Sequence, residues 1–210
     1  MNGFERRKER KKQNILQAAL QLFSEYGVQK VSIQEIAQQA EVSQVTIYNY
    51  FGSKDQLLYH TVEMLVRDRI EQSSSIIDDD SMSFQEKIKL IITNKKQDLL
   101  KFNSEFLQSV VSDQPDIQKF ISTITEKESV PMLMRLVKQG KAEGSIHPDL
   151  SFETIMFFVE MYYKAFEAMP ENNQQSLSLL GEELLHIFFY GIMGGMDEQI
   201  HEQNNNPLRK

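Results

Sequence analysis

The stretch Gln44-Val45-Thr46-Ile47-Tyr48-Asn49-Tyr50-Phe51 gathers amide, hydroxyl and small apolar side chains at a spacing that could read a nucleic acid. Amides and hydroxyls hydrogen-bond to base edges and phosphate oxygens, and a branched methyl can lie against a thymine methyl. If the stretch is helical, Ile47 and Phe51 fall four apart on one face and turn inward. Gln44, Val45, Thr46, Tyr48 and Asn49 then point away from the core, and exposed residues of that kind need a partner. The other sets with chemistry are Glu183-Leu-Leu-His186 and Glu198-Gln-Ile-His201, which have the Glu-x-x-His spacing of di-iron helical bundles. Both fall on one helix about fifteen residues, hence roughly 22 Å, apart, so one metal pair cannot use both within a subunit. Without cysteine there is no thiolate nucleophile and no Cys-type zinc site. No Gly-rich phosphate loop, nucleophile elbow or Ser, His, Asp arrangement stands out. The expectation is a protein that is not an enzyme and has no metal and no cofactor.

The elements around Gln44 to Phe51 are announced by caps. Ser32 with Glu35 three residues on is a capping box, in which each side chain satisfies a backbone donor left open at a helix start. Ile33, Ile36, Ala37 and Ala40 form the buried stripe of that helix, and the two alanines let another helix cross closely. Glu41, Val42 and Ser43 make the turn, Ser43 caps a second helix to about Phe51, and Ser53 with Gln56 caps a third. An earlier helix runs from about Lys8 to Tyr26, with Ile15, Ala19, Leu22, Phe23 and Tyr26 buried and Gly27 as its stop. A solvated amphipathic helix pair is the plainer reading. Three caps within about two dozen residues weigh against it and for a helix-turn-helix head.

Net charge is −7, which seen alone argues against a nucleic-acid partner. Its distribution reverses that impression. Residues 1–60 carry eight Lys or Arg against six Asp or Glu, and the first twelve residues carry six against two. A basic arm on an acidic remainder is an oriented electrostatic footprint. The arm lacks the apolar stretch of a signal peptide. The longest apolar run, Ile187 to Met196, is ten residues, against the roughly 20 that span a bilayer. The expected location is the cytoplasm, with no membrane contact.

Beyond the head the pattern stays helical. Lys54 opens a helix to about Ser73 carrying Leu57, Leu58, Thr61, Met64 and Leu65, and Asp78-Asp79-Asp80 breaks it. Ser83 with Glu86 caps a helix to about Ser112. Pro115 and Pro131 each suit the first turn of a further helix. Residues 140–150 read as a loop by their Gly and Pro content. Helices at about 151–169 and 175–199 follow. In the first of these only Glu160, Lys164 and Glu167 form a polar strip, and in the second Phe188, Ile192 and their neighbours cover most of the circumference. A helix apolar nearly all round is buried on both sides, and a two-fold contact with a second copy supplies the second side. Gly191, Gly194 and Gly195 weaken helix propensity, and close approach of a partner helix is a reason to tolerate them. Seven of the ten methionines lie between Met132 and Met196. Adaptable side chains suit an apolar ligand pocket or a plain core, and the residues alone leave both open.

Residues 42–58, Val-Ser-Gln-Val-Thr-Ile-Tyr-Asn-Tyr-Phe-Gly-Ser-Lys-Asp-Gln-Leu-Leu, resemble the recognition helix and following turn of the TetR family of bacterial transcriptional regulators. Ile15 to Gly27 resembles that family's first helix, and the specific match spans about residues 10–60. The resemblance implies an all-α chain: a helix-turn-helix DNA-binding head with its basic arm over 1–53, a ligand-binding and dimerisation body over 54–200, and a disordered tail over 201–210. It implies Gln44, Val45 and Asn49 at base edges. Thr46, Tyr48, Tyr50 and Lys54 would hold phosphates, together with the donors at the Ser32 helix start. Val45 departs from the glycine or proline many members have there. It also implies an effector cavity including Phe102, Phe106, Phe120, Met134, Phe158 and Tyr162, and a homodimer through the last two helices, including Phe188, Gly191, Ile192 and Gly195. The partners expected are palindromic double-stranded operator DNA and a small lipophilic effector that releases a repressor. The rival reading is a helical small-molecule-binding or metal-binding protein without regulatory DNA binding.

Overall fold

Asn2 begins the first helix. Its side chain accepts from the amides of Phe4 and Glu5, so α1 runs from Gly3 to Tyr26 and starts five residues before the expected Lys8. This computed structural model describes residues 2–102, 105–106 and 114–167, and every regular element among them is helical. Gly27, at φ 87°, closes α1 by donating its amide to the Phe23 carbonyl. Tyr26, expected inside, is half exposed, because it occupies the last turn, past the layer that buries Phe23.

The expected caps set the next three helices. Ser32 and Glu35 form a reciprocal capping box at the head of α2 (Ile33–Gln39). Ser43 caps α3 (Gln44–Phe51) and Ser53 caps α4 (Lys54–Ile77), each accepting from the third residue on. One core joins them: Ile15, Ala19 and Phe23 of α1, Ile36 and Ala37 of α2, Ile47 and Phe51 of α3, and Leu57, Leu58 and Val62 of α4. Ala40 and Val42 pack partly buried against its edge. The first half of α4 thus completes the head. Its last residue, Ile77, sits in a second core, so the helix passes beyond the expected end at Ser73 and links the two.

The second core is built from Phe84 and Ile88 of α5 (Phe84–Lys101), Met132 and Leu136 of α7 (Val130–Ala142), Ile146, and Ile155 of α8 (Phe152–Glu167). Ser83 and Glu86 cap α5 as expected. The helix stops at Lys101 rather than near Ser112; Phe102 lies in a bend, packs against the head core, and Phe106 is buried within it. Pro115 opens α6 (Pro115–Ile124). Pro131 stands in the first turn of α7 as expected, and a π-helical segment, Thr125–Ser129, runs straight from α6 into that helix. That wider turn lies just before Pro131, whose missing amide an unbroken α-helix does not accommodate. Gly140, expected in a loop, lies inside α7. A Cβ there would come within 2.8 Å of Ile146 Cδ1 and 2.9 Å of Phe84 Cδ2, so close packing explains this glycine.

Two polar joints fix the carboxyl ends of α4 and α1. Lys87 is buried, and its Nζ donates to the Ile77 carbonyl at 2.6 Å and to Gln139 Oε1 at 2.8 Å, holding a cation at the α4 carboxyl end. Glu105 Oε1 accepts from the Gln29 amide at 2.7 Å, and its carboxylate lies over Gly27, where a Cβ would collide with it. The carboxyl end of α1 therefore faces the body, and its amino end points away from it. The expected final helix over 175–199, with Phe188, Gly191, Ile192 and Gly195, lies outside the described residues, as do both Glu-x-x-His sets and the 201–210 tail.

Candidate nucleic-acid interface

Ile47 and Phe51 anchor α3 in the head core and so decide which of its side chains face outward. Val45 is 67% exposed and Tyr48 48% exposed, and Gln44 and Asn49 are exposed beside them. This is an amide, a branched apolar group, a phenol and a second amide on one open face. Gly52, at φ 78°, ends the helix by donating to the Tyr48 carbonyl at 2.8 Å. The turn before α3 holds Glu41 at φ 54°, with the Val42 amide donating to the Ala37 carbonyl at 2.9 Å. That left-handed conformation normally favours glycine.

Four of the expected contact residues are engaged within the chain. Thr46 is half-buried, its hydroxyl 2.9 Å from that of Ser43, which leaves it less free than an exposed threonine. Tyr50 is half-buried against the core, and its hydroxyl donates to the Lys8 carbonyl at 3.5 Å. The Ser32 amide and hydroxyl both donate to Glu35 Oε2 at 2.7 Å, so the amides next in the first turn of α2 remain for an anion. The Ser32 amide first, then its hydroxyl, and further the charge of Lys54 hold the Glu35 carboxyl below the usual glutamate range. Lys54 itself is half-buried at the start of α4, beside that carboxylate.

The residues expected to line an effector cavity are not brought together. Phe106, fully buried, is a core residue of the head, with Phe102 5.5 Å away ring to ring. Phe120 stands edge-on to Tyr59 at 6.0 Å, under the Arg67 guanidinium, beside a cleft of about 430 Å³ between α4 and α6. Met134 is 51% and Phe158 49% exposed, and Tyr162 is placed on α8 by its backbone. Helical spacing set these side chains in the right helices but could not say which face each helix turns to which neighbour. Sequence reasoning also missed Glu105 as the contact to the α1–α2 loop, and no local pattern signals a pairing across 76 residues. It missed the helical start of α1 as well, which Asn2 followed by Glu5 at the N3 position does signal. Among the described residues no cluster of three metal-ligating side chains occurs, and no helix is long and apolar enough to cross a membrane.

Comparison with known proteins matches this head. The family model for "Bacterial regulatory proteins, tetR family" aligns with residues 15–60, from the first core residue of α1 into α4. The helix-turn-helix head is that of the TetR family. The regulator HbdR of Aromatoleum sp. is 42% identical over 64 residues, covering 30% of this chain and 28% of HbdR. The repressor KstR2 of Mycolicibacterium smegmatis is 23% identical over 193 residues, covering 87% of this chain and 90% of KstR2. Among solved structures, FadR of Bacillus subtilis, in complex with stearoyl-CoA, superposes with a TM-score of 0.63 at 22% identity, over 86% of this chain and 98% of FadR. That likeness carries the fold: an all-helical chain with an N-terminal helix-turn-helix and a helical body. The protein thus carries the DNA-binding head of a TetR-family transcriptional regulator on a helical body.

Proposed function

We propose that this protein is a homodimeric TetR-family repressor that binds a palindromic operator through α3 and leaves it when a small lipophilic effector occupies the body. The observation that carries the DNA half is the open face of α3, where Gln44, Val45, Tyr48 and Asn49 stand exposed on a helix anchored by Ile47 and Phe51. Gln44, Val45 and Asn49 meet base edges. Tyr48, Lys54 and the first-turn amides of α2 hold phosphates and fix register. Thr46 and Tyr50 contribute by shaping the helix ends.

The dimer half is supported by α8, where Phe157 is 62%, Phe158 49% and Met161 48% exposed on a chain whose next expected helix is apolar all round. Two copies joined through that region, with Phe188, Gly191, Ile192 and Gly195 at the seam, present two heads to two half-sites. Division into a head over 1–53 and a body over 54–200 follows the change from α3 to α4, a helix that serves both. The effector half is supported by the methionine-rich composition from Met132 onward. Release requires only that the effector bind the DNA-incompetent arrangement better than the competent one.

Selection of genomic fragments by the purified protein, followed by titration with lipophilic compounds, tests this reading. Stearoyl-CoA, the ligand in the FadR structure, is one first probe. The expected outcome is an imperfect inverted repeat, bound by a dimer, that at least one compound releases. A monomer that binds such a site, or a protein that selects no fragment, would overturn it.

A further inference from the structure

We propose, taking operator binding by α3 as given, that the first turns of α1 and the α2–α3 turn form a second groove, which holds the sugar-phosphate strand flanking the bases read by α3. The first core residue of α1 is Ile15, and the helix begins at Gly3. Twelve residues therefore extend about 18 Å past the packed layer. They project from the end of the head opposite the body, because the other end of α1 is held by Glu105.

Charge on this extension is sorted by face. Arg7, Lys8, Arg10 and Lys11 line a cleft of about 540 Å³, whose far wall includes Glu41 and Tyr50. The opposite side of the same helix carries Glu5, Arg6, Glu9 and Lys12, two of each sign. Among the described residues none of the four cleft cations forms an ion pair. The cleft thus offers four free cations against one carboxylate. Its floor is contiguous with α3, since the Tyr50 hydroxyl reaches the Lys8 carbonyl and Tyr50 follows Asn49 in the helix.

A polyanion passing the α3 face is carried into this cleft, and a duplex supplies such a strand on each side of the bases it presents. Residues 1–60 are net basic on a chain of net charge −7, so the same end that shows α3 also attracts the backbone. Holding the cations on a preformed helix, rather than on a loose tail, lowers the ordering cost of each contact.

The test uses the full chain, the selected operator fragment, and two variants that each remove two positive charges from the same helix. R7Q/K11Q alters the cleft face and R6Q/K12Q the opposite face. The cleft pair is expected to weaken binding tenfold or more and to lower the salt slope by about 1 to 2. The opposite pair should stay within threefold of the unaltered protein. Trimming the base pairs outside the α3 half-sites should abolish the difference between R7Q/K11Q and the unaltered chain. Equal losses from both pairs, no loss from either, or a difference that survives trimming would overturn the groove while leaving operator binding intact. An unaltered chain that binds no fragment would overturn both readings, and the two failures are told apart by that control.

Discussion

In the head, two short helices, α2 and α3, meet α1 and the first half of α4 on a core where serine caps announce α2, α3 and α4, and the same residues that bury the helices decide which side chains are left outside. In the body, longer helices meet on a smaller core, and partners arrive from far along the chain: Lys87 on Ile77 and Gln139, Glu143 on the Phe84 amide, Arg135 on Asp78. Identity to HbdR is concentrated in a 64-residue match, whereas the near full-length match to KstR2 falls to 23%. A local code tolerates a changing body so long as the body presents something of the right shape to the head. That something is specific, because Phe106 and Ile117 come from beyond α5 and are buried in the head core.

The largest expected effect breaks the comparison at this point. Phe106→Ala removes a fully buried ring that lies far in sequence from the family match, and large-to-small core changes of this kind cost about 3–5 kcal/mol. Urea unfolding should show the loss, and operator binding should weaken with it although no residue of 1–60 has changed. Unaltered operator affinity with full loss of body stability would mean that the head holds its own core without help.

Next come the contacts of α3. Gln44→Ala should relax preference at particular bases by about 1–3 kcal/mol of discrimination. Lys54→Ala should weaken all sites alike and flatten the salt dependence. Competition binding to single-base operator variants separates the two, and a change of base preference in Lys54→Ala would reverse the roles.

In an exposed helix a Gly→Ala exchange gains roughly 1 kcal/mol, but Gly140→Ala places a methyl against Ile146 and Phe84. Overpacking costs about 1–3 kcal/mol, so a net loss is expected in thermal unfolding. A stabilised Gly140→Ala protein would show that Ile146 moves aside freely and that the body is packed more loosely than the head.

The same contrast explains what could be read in advance. Caps act over three residues, so Ser32, Ser43, Ser53 and Ser83 placed their helices from sequence alone, and the spacing of Ile47 and Phe51 gave the outward face of α3. The errors lie where a long-range contact overrode a local sign. Gly140 looked like a loop and is a packing glycine. Phe106 looked like a pocket wall and is a core residue of the head, because aromatics at helical spacing say that a face is buried but not against what. The cation face of α1 was hidden for another reason: a basic amino terminus reads as a loose arm until Asn2 and Glu5 are recognised as the start of a helix.

The smallest effect compares two capping boxes of the same design. Glu35 in the head and Glu86 in the body each accept from a serine amide and hydroxyl, and in both the serine amide is the main cause of a carboxyl held below the usual glutamate range. A carboxyl whose folded value is depressed stabilises the fold above its ordinary, unfolded value, and that contribution disappears as pH falls through the lowered folded value. Glu→Gln at either position keeps an oxygen acceptor and removes the titration, so the acid side of the stability curve should become shallower in both variants. The two differ in one respect: the charge of Lys54 adds to the depression at Glu35, and no cation does so at Glu86. Coulombic attraction at an exposed site is screened by salt, while a hydrogen bond hardly is. The difference between E35Q and the unaltered chain should therefore shrink from low to high salt, whereas that between E86Q and the unaltered chain should not. Thermal melts at pH 3 to 7, at two ionic strengths, make the measurement. Equal salt responses in the two variants would show that Lys54 does not act on Glu35, and would leave its ammonium free to meet a phosphate without first giving up a carboxylate.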